Sequence, residues 1–168
     1  MLYGAAVAAA RESFLYQELA VPDTLDGRFD LVGVYAFLLI HRLTAAPDVA
    51  SAPGPALAQA VFDAMFSDMD INLREMGVGD LSVGRRVRAM WEAFHGRAKA
   101  YATALGDPDP AALESALARN VWRGAPAGDG PARLARLMRA QAQHLSGQAL
   151  DALKQGSAKF LPAMEAAQ

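Results

Sequence analysis

Three features of this sequence predict an all-α fold, a single compact domain of six to seven helices spanning residues 1–168. Alanine, leucine, methionine, arginine and glutamate, all strong helix formers, dominate the chain. No segment sustains the apolar–polar alternation with β-branched residues that a half-buried strand requires. At 168 residues, 53% hydrophobic and 20% charged, the chain is large enough for one real core, and it shows neither an internal repeat nor a domain-scale linker.

The first helix is expected from Leu2 to Leu19, ending before a loop, VPDTLDGRFD, that Pro22 and Gly27 punctuate. Asp30 is the expected N-cap of a second helix through Leu43, whose last turn places His41 and Arg42 where cations suit the helix dipole. Residues 46–55, APDVASAPGP, read as a proline-rich surface loop. A third helix follows from Pro55 to Met76. Its core stripe is Phe62, Phe66, Met69, Leu73 and Met76, with Asp63, Ser67, Asp70 and Arg74 on another face. Asp68 and Asn72 lie between these stripes, beside Val61 and Met65. Gly77 and Gly79 stop this helix, and Asp80 or Ser82 is expected to cap a fourth that runs to Leu105. Its stripe is Val83, Val87, Trp91, Phe94, Ala98, Tyr101 and Leu105. Asp107-Pro-Asp-Pro110 starts a fifth helix to Trp122, Pro131 a sixth to Ser146, and a seventh piece covers Gln148 to Lys154. The tail, residues 156–168, is expected to be irregular.

Composition narrows the function. The absence of cysteine excludes a disulfide scaffold, a thiolate metal site and a cysteine nucleophile. The net charge of −2 hides an asymmetry: 11 acids against 4 bases up to Ser82, then 5 bases against one acid from Val83 to Tyr101. Such a chain can carry a basic face without being a basic protein, and an overall field that is not strongly positive argues against generic nucleic-acid binding. The longest apolar run, Leu31 to Ile40, falls well short of the ~20 residues that span a bilayer, so it belongs to a buried core helix. No basic n-region precedes the alanine-rich start, so no signal peptide is expected.

The segment from Ala60 to Tyr101 concentrates charge, methionine and glycine. Asp63, Asp68 and Asp70 invite a cation site, but Asp68 points ~160° away from Asp70 on a helix, and a solvated or salt-bridged face is the favoured reading. Asp63, Asp68 and Asp70 form no DDxxD or DxxxD pair, as a helical prenyl-diphosphate enzyme would show. Asp68 and Asn72, one turn apart at the apolar border, read either as an interhelix polar clamp completed by Arg85 or Arg88, or as a partner-binding pair. Gly77, Gly79 and Gly84 resemble a phosphate-cradling loop, yet Arg85-Arg86 replaces the Walker lysine and no strand precedes it, which favours a tight helix–helix turn. His41, His95 and His144 form no HxxxH or HExxH pair, and no serine sits in a nucleophile elbow. No metal site, cofactor or catalytic residue is therefore assigned.

The stretch FDAMFSDMDINLREMGVGDLSVGRRVRAMWEAFHGR resembles the signature region of the ubiquinol-cytochrome c chaperone family. The upstream FLYQELAVPDTLDGRFDLVGVYAFLLIHRL and the downstream ALARNVWRG are similar to the same family, so the resemblance covers most of residues 10 to 125. It implies an assembly factor for the cytochrome bc1 complex, respiratory complex III, that binds cytochrome b in its nascent or apo form and performs no catalysis. It also implies contacts with the ribosome or the membrane surface. The chain resembles the compact bacterial form without a mitochondrial import extension, which implies a bacterial cytoplasmic location, peripheral to the inner face of the membrane. The expected partner-binding residues are Asp68, Asp70, Asn72, Arg74, Glu75, Met76, Asp80, Arg85, Arg86 and Arg88, with Gly77, Gly79 and Gly84 as the structural turn. The alternative is a helical protein or enzyme that binds lipid or prenyl diphosphate, which needs a deep pocket lined by convergent carboxylates.

Overall fold

The computed structural model describes residues 2–45, 53–126 and 128–168. Among them are nine helices: α1 (Leu2–Ala10), α2 (Ser13–Gln17), α3 (Leu25–Ala45), α4 (Gly54–Glu75), α5 (Asp80–Gly106), α6 (Pro110–Val121), α7 (Gly130–Ser146), α8 (Leu150–Lys154) and α9 (Ala163–Ala166). The described residues contain no strand, so the all-α expectation holds. Six helices have nine residues or more; α2, α8 and α9 are short pieces of one turn or little more. Most of the expected 46–55 loop lies outside the described residues.

Helix α3 is the axis of the molecule. Every residue from Leu31 to Leu39 is buried, and a helix apolar around its whole circumference must be covered on every side. The cover comes from α1, α4, α5, α6 and α7, all of which pack against it. Phe37 meets Tyr101 of α5 edge-on at 5.7 Å between ring centres. Each large side chain sealed here contributes about 1.5–3 kcal/mol of burial.

Asp30 is not the N-cap of this helix. The cap is Thr24, whose Oγ1 accepts from the Gly27 N–H at 3.1 Å, so α3 starts six residues earlier than the sequence pattern implies. Gly27 belongs to the first turn, where a Cβ would stand 1.9 Å from the Pro22 carbonyl oxygen; the chain approaches too closely for any other residue. Asp30 instead lies inside the helix with its side chain 1% exposed, paired with Arg97 of α5 and with Arg123, which follows α6. Arg97 hydrogen-bonds one carboxylate oxygen. Arg123 Nη2 lies 2.9 Å from the other, an approach of charges without hydrogen-bond alignment. At the opposite end of α3, buried Arg42 donates to the carbonyls of Leu145 and Gln148, both at 3.1 Å, and so satisfies the C-terminus of α7.

The expected single first helix is broken at Arg11 and Glu12. Glu12 adopts an extended conformation, and its Oε2 accepts from the Ala163 N–H, 2.8 Å away at the start of α9. The C-terminal residues that hold this break have little regular structure of their own but are packed. The Gln141 side chain brackets Leu161 through both its backbone groups, at 2.7 and 2.9 Å. Gln148 does the same for Lys159, and Phe160 stands edge-on to the buried Tyr35 at 5.0 Å. An amide side chain that both donates and accepts can replace a missing strand partner.

Burial pushes the Asp30 carboxyl up to about 6, because desolvation outweighs the attraction of Arg97 and Arg123. The folded chain therefore holds this proton at pH values where the unfolded chain has released it. The contribution of Asp30 to stability is greatest below about pH 4 and declines as pH rises through 6. Arg97→Ala is expected to cost roughly 3–5 kcal/mol at pH 7, where it leaves the buried carboxylate only the half-exposed Arg123 and no hydrogen bond, and clearly less at pH 4.5. Urea unfolding of both proteins at the two pH values checks this.

Candidate functional site

An open groove of about 570 Å³ runs between the α1–α2 corner, the start of α3 and the C-terminal half of α4. Its floor is apolar: Val7 from α1, Phe29 and Val32 from α3, and Met69 from α4. Leu25 and Met76 stand on its rim, 44% and 51% exposed. Its polar lining includes Arg11, Tyr16, Asp23, Arg28, Asp68 and Asn72. Arg28 is held by Asp23 at 2.6 Å, and the Tyr16 hydroxyl donates to the Ala10 carbonyl at 2.9 Å, which fixes the α1–α2 corner.

Asp68 is half-buried and finds its partner 65 residues away. The Tyr3 hydroxyl of α1 donates to Asp68 Oδ2 at 2.7 Å, joining α1 to α4. Burial and this carboxylate together raise the pKa of Tyr3, so it remains a neutral donor. The expected clamp to Arg85 or Arg88 does not form. Arg88 pairs with Glu92 at 3.2 Å, and Arg85 and Arg86 are exposed without a carboxylate partner among the described residues. The one-turn spacing of Asp68 and Asn72 has a local consequence as well: Asn72 Nδ2 donates to the Asp68 carbonyl at 2.7 Å.

Of the expected binding residues, the groove gathers Asp68, Asn72 and Met76 and leaves the others outside. Arg74 links Asp70, at 2.6 Å, to Asp80 across the α4–α5 turn, and Glu75 is exposed. Asp80 is therefore an ion-pair partner and not the expected cap. The N-cap of α5 is Gly79, whose carbonyl accepts from Ser82 at 2.8 Å and Val83 at 3.2 Å. The α4 terminus is a Schellman turn: Gly77 N–H donates to the Arg74 carbonyl and Val78 N–H to the Leu73 carbonyl, with Gly77 at φ +80°. Gly79 has an ordinary φ of −63°, and both it and Gly84 have open space where a Cβ would go, so only Gly77 of the three is dictated by the turn.

Two residues assigned to core stripes lie at the surface. Met76 is on the groove rim, and Trp91 is 44% exposed, packed on His95 at 4.0 Å between ring centres. Helical spacing gives the direction of a side chain, and both point past the edge of what covers the helix. Leu25, Phe29 and Tyr3 had no local signal as site residues, since they reach α4 only through the tertiary fold.

Among the described residues no three His, Asp or Glu side chains come together as metal ligands. Asp63 receives a hydrogen bond from Gln59 on an exposed face, while Asp68 and Asp70 point to different surroundings. Among the described residues, the convergent carboxylates that a prenyl-diphosphate site requires are not assembled. No helix among the described residues is long and apolar enough to cross a membrane.

Residues 17–160 match the family model for ubiquinol-cytochrome C chaperones, which takes in α3 to α8 and most of the groove. The chain belongs to the ubiquinol-cytochrome C chaperone family. This family member is also similar in structure to the Cbp3 homolog from Brucella abortus, solved by crystallography, with a TM-score of 0.86 and 32% sequence identity. The alignment covers 98% of this chain and 88% of that one. No curated protein matches it significantly in sequence. Membership supports a role in assembling the bc1 complex.

The turn generates a test that separates its glycines. Gly77→Ala is expected to destabilise the protein by about 1 kcal/mol or more, because it forces a left-handed alanine. Gly84→Ala, inside α5, is expected to be neutral or to stabilise by up to about 1 kcal/mol. Thermal unfolding of the two variants checks the assignment.

Proposed function

We propose that this chain is an assembly chaperone of the cytochrome bc1 complex that holds cytochrome b in the groove between α1, α3 and α4. The observation that carries the reading is the coincidence of Asp68, Asn72 and Met76, three residues of the family-like signature, with an open groove that has an apolar floor. Exposed large apolar residues beside polar ones are what a binding surface for a hydrophobic polypeptide requires, and methionines at the contact adapt to varied side chains. Ile71 and Leu81, 51% and 94% exposed, extend apolar surface onto the neighbouring turn. The protein acts by binding and not by catalysis. It works in the bacterial cytoplasm, against the inner face of the membrane where cytochrome b is inserted.

Leu25→Glu with Met76→Glu places two charges on the groove rim at positions that are already exposed. The double variant is expected to unfold within a few degrees of the wild type, to lose copurification of cytochrome b from detergent-solubilised membranes, and to reduce bc1 accumulation. Glu114→Lys, on the exposed face of α6, is expected to change neither. Normal bc1 levels and undiminished copurification in the double variant would contradict the proposal.

A further inference from the structure

The charges that line the groove are not equivalent. Arg28 and Asp23 neutralise one another and are both more than half exposed. Arg11 is exposed on the α1 rim, where water and salt screen it. Asp68 is the one formal charge of the lining that is half-buried. Its Oδ2 is taken by the Tyr3 hydroxyl, but its Oδ1 accepts no hydrogen bond among the described residues. Tyr3 stays protonated and neutral, so it satisfies the oxygen without balancing the charge.

One turn further along α4, Asn72 uses its Nδ2 on the Asp68 carbonyl, which leaves its Oδ1 as an acceptor. Two acceptors, one of them charged, thus stand one helical turn apart on the groove wall, with Met69 and Met76 beside them. A partly desolvated carboxylate with a neutral partner is an ion pair that lacks its cation.

We propose that Asp68 and Asn72 receive a basic side chain, arginine or lysine, carried by an apolar polypeptide segment that lies along the groove. The apolar residues of the segment rest on Phe29, Val32 and Met69, and its guanidinium or ammonium group donates to Asp68 Oδ1 and Asn72 Oδ1. A segment of this kind, apolar with a basic end, is the chemistry of a membrane helix at its cytoplasmic boundary, where lysine and arginine concentrate. The complementarity also gives a direction to binding, since only one end of such a segment carries the charge. This inference rests on the reading of the groove as the client site.

The test uses the purified full chain and three fluorescently labelled peptides that share one short leucine- and alanine-rich sequence and end in Arg, Gln or Glu. Anisotropy titration of the wild type is expected to show the Arg peptide binding about tenfold more tightly than the Gln peptide, with the Glu peptide weakest. In Asp68→Asn, whose amide oxygen still accepts from Tyr3, the Arg-to-Gln ratio is expected to fall to near one while the Gln peptide binds as before. Equal binding of the Arg and Gln peptides to the wild type, or an Arg preference that survives in Asp68→Asn, would overturn the assignment of Asp68. If Met76→Glu nevertheless weakens all three, the groove remains the client site and only the basic-residue inference fails. Absence of binding by every peptide, or binding indifferent to both substitutions, overturns the two together.

Discussion

A helix that is apolar on all sides has to be enclosed, and the placement of every other long helix follows from enclosing α3. Leu31, Val34, Tyr35 and Leu39 retain no exposure, and five helices are needed to achieve that. The cost of such a core is that little distinguishes one rotation of the central helix from another, since hydrophobic contact has no direction. Two buried charges on α3 supply the direction. Asp30 must face Arg97 and Arg123, and Arg42 must face the carbonyls of Leu145 and Gln148 at and just beyond the end of α7. A rotation or slip of α3 would break both sets of contacts and leave Asp30 buried without its cations, at a cost of several kcal/mol. These contacts set the register of α3 against α5, the end of α6 and α7.

The groove is where that enclosure stops. Phe29 and Val32 keep 7% and 8% exposure where Leu31 and Val34 keep none, because α1 and α4 part over the start of α3. What holds α1 against α4 there is the Tyr3–Asp68 hydrogen bond, and what ends α1 is the pull of Glu12 towards α9. The apolar floor and the half-buried carboxylate are thus consequences of one packing decision. A chaperone needs such a surface, apolar enough to hold a membrane segment but open enough to release it. The solid axis behind the groove keeps the surface preformed and so limits the ordering cost of binding.

Features decided within a few residues were legible in the sequence. The segment Asp107-Pro-Asp-Pro110 starts α6 as expected, with Asp109 accepting from the Ala111 N–H, and Gly77 ends α4. The apolar run of α3 was legible as buried, and the family was legible from the segment around Asp68. Features decided by distant contacts were not. Asp30 carries the composition of an N-cap, and only the arrival of Arg97 and Arg123 shows that it is an interior ion-pair partner. The periodicity that assigned Met76 and Trp91 to core stripes fixes an angle on a helix but not how far the covering elements extend. Asp68 was legible as a carboxylate in need of a partner, whereas Tyr3 as that partner was not, because nothing local relates residues 65 positions apart.

Contact between the groove and cytochrome b, as proposed, is a matter of proximity that crosslinking reads out. A photo-crosslinking amino acid placed at position 76, and in a control chain at position 114, is activated in cells that are assembling the bc1 complex. A cytochrome b adduct from position 76 with none from position 114 is the expected result. Adducts of equal yield from both positions, or from position 114 alone, would contradict the account.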